Sequence, residues 1–195
     1  VLSKGYFLPH MSSADGSVLA GCVQAPGAED VPVRWTRERG VESLVPVLGL
    51  SSARVRAISG DGRVFAADGL LAGIPGSTTV IASDSGQRRI LPPLAGDQFA
   101  YASALSFDGS VALGQSLLET RGYRAAAWVT GGPAMDLGVS PGLDSGTTHT
   151  TSFGLSADAT VAVGWEAEGS GNPHGFRWTA ATGVVRLPPP SGQYA

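Results

Sequence analysis

The sequence predicts an all-β fold: a β-propeller of four-stranded antiparallel blades, one blade in each of four repeats of about 47 residues. Three observations carry this prediction. A Ser-x-Asp-Gly phrase returns at nearly constant spacing. A large apolar residue, tryptophan in three copies, follows each aspartate by twenty positions. The 195 residues include 28 Gly and 13 Pro. Helices accommodate that load poorly, at roughly 1 and 3 kcal/mol per Gly and Pro, whereas short strands joined by tight turns suit it.

The aspartates are Asp15, Asp61, Asp108 and Asp158, separated by 46, 47 and 50 residues. Two positions earlier stand Ser13, Ser59, Ser106 and Ser156. The next residue is Gly16, Gly62 or Gly109, with Ala159 in the fourth copy. Six positions on come Gly21, Ala67, Gly114 and Gly164; twenty positions on come Trp35, Ile81, Trp128 and Trp178. Leu44, Ile90, Leu137 and Leu187 follow nine residues later. Length changes are expected only outside the block from aspartate to final leucine.

Each repeat reads as four strands. The first ends at the serine, as in "AYASALS". The Asp-Gly pair then makes a hairpin turn, because glycine accepts positive φ without steric cost. A strict two-residue type I′ turn would strain Ala159 by about 1 kcal/mol, so a longer or different turn is expected there. The second strand alternates, as in "SVALG" and "TVAVG". After a variable loop the third strand carries the tryptophan, in "VPVRWT", "RAAAWVT" and "HGFRWT", with "TTVIAS" as its counterpart. The fourth strand is "GVESL", "GQRRIL", "AMDLG" or "GVVRL". No helical periodicity competes. The repeats span approximately 6–50, 51–97, 98–145 and 146–195 within a single domain, 1–195.

A lone blade cannot bury both faces, so blades must stack. The tryptophan is expected between blades with the final leucine beside it. Tyr6 and Tyr194 stand at nearly the same phase of the repeat. The chain therefore holds close to four whole units, which fit a closed four-bladed ring or part of a larger propeller. Apolar end faces in the second case would drive self-association or pairing with a missing segment of the parent protein.

"HGFRWTAATGVVRL" (His174 to Leu187), following "GLSADATVAVG", resembles the bacterial HAF repeat, a probable extracellular repeat. The resemblance covers nearly the whole chain and is strongest in the first, third and fourth copies. It implies export from a bacterial cell, to the surface, the medium or the periplasm, as in autotransporter passengers. It brings no catalytic residues with it.

The formal net charge is −3, with one lysine, Lys4, and no basic block, which argues against a nucleic-acid groove. No apolar run approaches a membrane span. Cys22, the only cysteine, lies in strand-like "LAGCVQ" and reads as a small buried hydrophobe. The chain begins at Val1 without a signal peptide and reads as a mature or excised piece of something longer.

The Ser-x-Asp pairs occur at a hairpin in every copy, so they read as side chains capping their own turns rather than as nucleophile and acid. One carboxylate per turn falls short of calcium's six to eight oxygens. His10, His149 and His174 show no ligand spacing, and no G-x-S-x-G, Walker or H-E-x-x-H motif occurs. Glu29-Asp30 and Glu166/Glu168 lie in variable loops as solvated charge. No metal or cofactor is expected. Trp165, Tyr123 and Asn172 are the residues best suited to stack on and hydrogen-bond a sugar or peptide.

The reading is therefore a non-enzymatic exported scaffold for adhesion, assembly or ligand binding, with a surface glycan or protein as partner. Two alternatives stand beside it: a propeller domain of a glycan- or peptide-processing enzyme, and a purely structural spacer.

Overall fold

Among the described residues, sixteen strands form four antiparallel sheets of four, each in simple sequence order. The computed structural model describes residues 5–24, 27, 29–74, 77–118, 122–169 and 171–188; Lys4 and Tyr194 lie outside them. The first sheet holds β1 (Tyr6–Ser12), β2 (Val18–Gln24), β3 (Val31–Thr36) and β4 (Gly40–Ser43). A single helical turn, α1 (Val45–Leu48), leads to the second sheet, with Pro46 in its first turn and Gly49 ending it at φ +72°. That sheet holds β5 (Leu50–Ile58), β6 (Val64–Leu71), β7 (Ser77–Ser83) and β8 (Arg88–Ile90). The third holds β9 (Phe99–Leu105), β10 (Val111–Leu118), β11 (Gly122–Val129) and β12 (Ala134–Asp136). The fourth holds β13 (Thr148–Leu155), β14 (Ala162–Glu168), β15 (His174–Thr179) and β16 (Gly183–Arg186).

All four Ser-x-Asp turns share one construction. In the first, the Ser13 N–H donates to the Val18 carbonyl at 2.9 Å and the Gly16 N–H to the Ser13 carbonyl at 3.0 Å. The loop is thus longer than a two-residue turn. Only the residue after the aspartate crosses to positive φ: 70° at Gly16, 74° at Gly62, 71° at Gly109 and 58° at Ala159. The longer turn does not relieve Ala159, which keeps the left-handed strain. Ala159→Gly is expected to raise stability by about 1 kcal/mol, read as a higher denaturant midpoint with an unchanged slope.

The glycine six positions after the aspartate answers a different constraint. The inner strand bulges opposite it, with register slips at Pro9/Met11, at Leu113/Gly114 and at Ser152/Gly154. A Cβ on Gly114 would lie 1.9 Å from the Tyr101 carbonyl oxygen, and one on Gly164 would lie 2.0 Å from that of Thr151. Backbone approaches backbone where a side chain would stand.

Three apolar cores fill three seams. Ala20, Leu44, Leu48, Phe65 and Ala82 join the first and second sheets. Ala66, Ile81, Leu91, Ala112 and Trp128 join the second and third. Leu113, Ala127, Leu137, Phe176 and Val184 join the third and fourth, with Trp178 packed against them. Buried hydroxyls tie the seams as well: Thr79 donates to the Ala100 carbonyl at 2.8 Å, and the Ala125 N–H donates to Thr150 Oγ1 at 2.7 Å. A closed ring of four blades would have a fourth seam. The first and fourth sheets share no core among the described residues. Their outer faces stay open, so the four blades form an arc and not the closed ring.

Tryptophan and leucine do not sit side by side. Trp128 faces the preceding sheet, and its indole N–H donates to the Pro92 carbonyl at 2.7 Å. Leu137 faces the following sheet. Each sheet thus presents a tryptophan-type face backward and a leucine-type face forward.

The second repeat departs from the expected register. Trp35 pairs with Leu19, Trp128 with Ala112 and Trp178 with Ala162. The equivalent pair in the second sheet is Ala82 with Phe65, so Ile81 is not the counterpart of the tryptophans. The aromatic ring has moved across the pair, from the third strand to the second. The paired residues lie 17 positions apart here (82 − 65) and 16 in the other sheets (35 − 19, 128 − 112, 178 − 162), an insertion of one residue inside the block expected to be constant. The shift carries to the end of the repeat. The Leu91 N–H donates to the Thr79 carbonyl as that of Leu137 does to Ala125, so Leu91, and not Ile90, is the final leucine.

Candidate functional site

The Ser-x-Asp side chains close on themselves. Ser13 Oγ donates to Asp15 Oδ1 at 2.7 Å, the Ser17 N–H donates to the same oxygen at 3.0 Å, and the Val18 N–H donates to Ser13 Oγ at 3.0 Å. Ser59/Asp61, Ser106/Asp108 and Ser156/Asp158 repeat the Ser-to-Asp bond. The turns also link along the arc: the N–H groups of Ala14, Asp61 and Phe107 donate to the carbonyls of Gly60, Phe107 and Ala157. The hydroxyls are spent on structure.

These bonds act on the carboxyls. The Ser17 N–H first, then the hydroxyls of Ser13 and Ser17, hold Asp15 at about 2, down from 3.8. The Ser110 N–H and hydroxyl, with Ser106, hold Asp108 at about 2. The Ser156 hydroxyl leads in lowering Asp158. A carboxyl lowered by folding stabilises the fold fully above its unfolded value near 3.8, and that contribution is lost as pH falls through about 2. The melting temperature is therefore expected to fall across this window, and Asp108→Asn should flatten the dependence. Thermal unfolding followed by circular dichroism checks both.

A different set of residues converges on the concave side of the arc. Arg56, Asp68, Tyr101, Gln115 and Tyr123, with Met11 and Ser103, line an open hollow of about 470 Å³. Arg56 comes from the inner strand β5, Tyr101 from the inner strand β9, and Tyr123 from the start of β11. Asp68 is 7% exposed, pairs with Arg56 at 2.7 Å and accepts a short hydrogen bond from Thr79. Burial pushes its carboxyl above the ordinary value, against the pull of Thr79 and Arg56. Burial, with the Asp68 and Tyr123 charges behind it, raises the Tyr101 phenol. Gln115 carries a buried Oε1 with no hydrogen-bond partner. The hollow thus offers two phenols, an arginine–aspartate pair and an unsatisfied amide.

The three residues expected to bind ligand do not meet. Tyr123 lines the hollow. Trp165 lies two residues beyond Val163 on β14, on the outer face of the fourth sheet. Asn172 is exposed in the β14–β15 connection. Glu166 is not a solvated loop charge: it is fully buried in β14, accepting from the Ser140 N–H at 3.0 Å and pairing with Arg186 at 3.2 Å. His10 is exposed, and His149 and His174 are half-buried. Among the described residues, no three or more His, Cys, Asp or Glu side chains come together as a metal site. Cys22 is buried, and burial raises its thiol. No helix among the described residues is long and apolar enough to cross a membrane.

Sequential four-stranded meanders stacked face to face around a concave side define a β-propeller. Solved structures share this arrangement. TolB from Acinetobacter baumannii superposes with a TM-score of 0.65 at 16% identity, over 93% of this chain and 43% of that one. A TolB protein from Agrobacterium tumefaciens gives 0.66 at 13% identity, over 91% and 63%. A prolyl endopeptidase gives 0.61 at 14% identity, over 93% and 28%. The chain therefore spans less than two thirds of the length of these structures. No protein-family profile and no curated protein sequence matches it.

Proposed function

We propose that the chain is a non-enzymatic binding scaffold, an arc of an exported bacterial β-propeller built from HAF-like repeats, and that its concave hollow holds a segment of a surface glycan or protein. The observation that carries this reading is the hollow itself. Paired phenols stack on sugar rings or peptide groups, and Gln115, Arg56 and Asp68 fix orientation by hydrogen bonds. Two features support the non-enzymatic reading: Asp68 is engaged by Arg56 and Thr79, and the hollow's lining residues include no histidine or cysteine. The likeness to TolB and to a prolyl endopeptidase supports the fold alone.

Glycan and peptide arrays probed with the purified chain test the reading. Specific binders are expected, and Tyr101→Ala and Tyr123→Ala should each weaken them at least tenfold, about 1.4 kcal/mol. Binding untouched by both variants would move the site elsewhere. Turnover of glycosidic, ester or peptide substrates that Asp68→Asn abolishes would replace the scaffold with an enzyme.

A further inference from the structure

The first and second seams differ at one equivalent place. Arg34 on β3 stands opposite Glu42 on β4, pairs with it at 3.1 Å, and crosses the first seam to the Asp84 carboxylate. The strand register makes Ile81 and Arg89 the counterparts of Arg34 and Glu42. Thr130 is the counterpart of Asp84. The Asp84 N–H donates to the Arg63 carbonyl and the Thr130 N–H to the Ser110 carbonyl, each two residues past its turn aspartate. The second seam therefore keeps a guanidinium, on Arg89, but has a neutral hydroxyl where the first seam has a carboxylate. Arg89 Nη2 is buried with no hydrogen-bond partner. Among the described residues Arg89 makes no ion pair. Burial pushes it below its ordinary pKa, as for a cation without a counter-charge. Arg89 lines an open cleft of about 420 Å³ at the turn end of the seam, with Gln87, Asp108, Ser110 and Thr130. The Thr130 hydroxyl is committed to the Ser110 carbonyl at 2.9 Å. Asp108 Oδ1 accepts from the Ser106 hydroxyl and from the Ser110 N–H and hydroxyl; Oδ2 accepts from none of them. The cleft thus holds an unanswered cation and an unanswered acceptor.

We propose that this cleft binds a hydroxylated carboxylic acid of the hexuronate kind, its carboxylate on Arg89 and one of its hydroxyls donated to Asp108. The ligand's carboxylate supplies what Asp84 supplies in the first seam. A guanidinium fork matches it with two parallel N–H donors, and the pairing is strong where water is excluded. Asp108 is held ionised at neutral pH by its own turn, so it accepts a hydroxyl and repels a second anion. A bare inorganic anion would leave Asp108 unanswered, and a neutral sugar would leave Arg89 unanswered. The cleft's size falls in the range of small-ligand sites, roughly 300–1,000 Å³. Both of its walls are complete four-stranded sheets, the second and the third. It shares no lining residue with the concave hollow, so binding here is independent of what that hollow holds.

Isothermal titration of the purified chain with D-galacturonate tests the proposal, with D-galactose and acetate as half-ligands. Galacturonate should bind more tightly than either by about tenfold or more. Arg89→Gln should weaken it by a similar factor, whereas Tyr101→Ala, in the concave hollow, should leave it unchanged. Thr130→Asp is a second, independent variant. It rebuilds the first seam's carboxylate beside Arg89, and should abolish binding while raising the denaturant midpoint. Titration with oligogalacturonate distinguishes the ligand's source. Tighter binding than the monomer points to a polymer and equal binding to the free acid, and either supports the site. Absence of galacturonate binding at millimolar concentration overturns the proposal. So does acetate binding as tightly as galacturonate, or galacturonate binding that survives both Arg89→Gln and Thr130→Asp.

Discussion

Trp128→Ala is expected to cost about 3–5 kcal/mol, the range for deleting a buried aromatic ring. The side chain is fully buried in the second seam, among Ala66, Ile81, Leu91 and Ala112. Its small neighbours Ala66 and Ala112 cannot expand to fill the vacancy, and the Pro92 carbonyl loses its indole partner. Because the seam joins two sheets, the loss should lower cooperativity along the arc as well as stability. The denaturant midpoint should fall substantially. A midpoint equal to wild type with the same slope would mean that the ring is not buried between sheets.

Phe65→Ala should have a comparable cost, about 3–5 kcal/mol, although sequence comparison of the repeats gives position 65 no special role. Phe65 is the aromatic member of the pair whose other member is Ala82, and it is fully buried in the first seam. The Arg34 guanidinium lies 6.0 Å from its ring centroid, and Arg34 bridges Glu42 of its own sheet and Asp84 of the next. The register makes a sharper expectation. On the Phe65→Ala background, Ala82→Trp should restore part of the lost stability, because it rebuilds the pair that Ala112 and Trp128 make. Ile81→Trp should restore none, since Ile81 points into the second seam. Denaturant titration of the two double variants separates the outcomes, and rescue by the Ile81 substitution would refute the register.

Much of this fold was legible because a repeated sequence states each structural constraint four times. The Ser-x-Asp turns, the strands that flank them and the burial of Trp128 follow from residues that recur at fixed offsets. Ile81 shows where that logic stops. An insertion of one residue between Phe65 and Ala82 of the second repeat moves every later position by one, and the strand alternation then turns the wrong side chain toward the wrong seam. The displaced aromatic was in view as Phe65, but cross-strand compensation is invisible until the pairing is known. The glycines at the bulge were legible as a pattern, not as a cause, because the carbonyl that forbids their Cβ atoms belongs to another strand.

The concave hollow was legible only through Tyr123. Arg56, Tyr101 and Gln115 come from three strands of two sheets, and nothing in their spacing announces that they meet. Asp68 offered one signal, a carboxylate inside the otherwise apolar run "VFAADGLL". Glu166 shows the opposite error: a charge in a sequence that varies between repeats looked like loop, yet it is buried on β14 against Ser140 and Arg186. Trp165 and Asn172 share a loop-rich stretch of sequence but reach surfaces away from the hollow.

The central claim is that four blades make an open arc with three seams. Pulsed electron–electron distance measurement tests it most directly. Spin labels go on cysteines introduced at Glu38, Ser85 and Ala181, exposed turn positions of the first, second and fourth sheets, in a Cys22→Ala background. Excess unlabelled chain suppresses distances between copies. In an open arc, the 38–181 separation is much longer than the 38–85 separation. In a closed four-bladed ring, the first and fourth blades are neighbours, and equal separations for the two pairs would contradict the account.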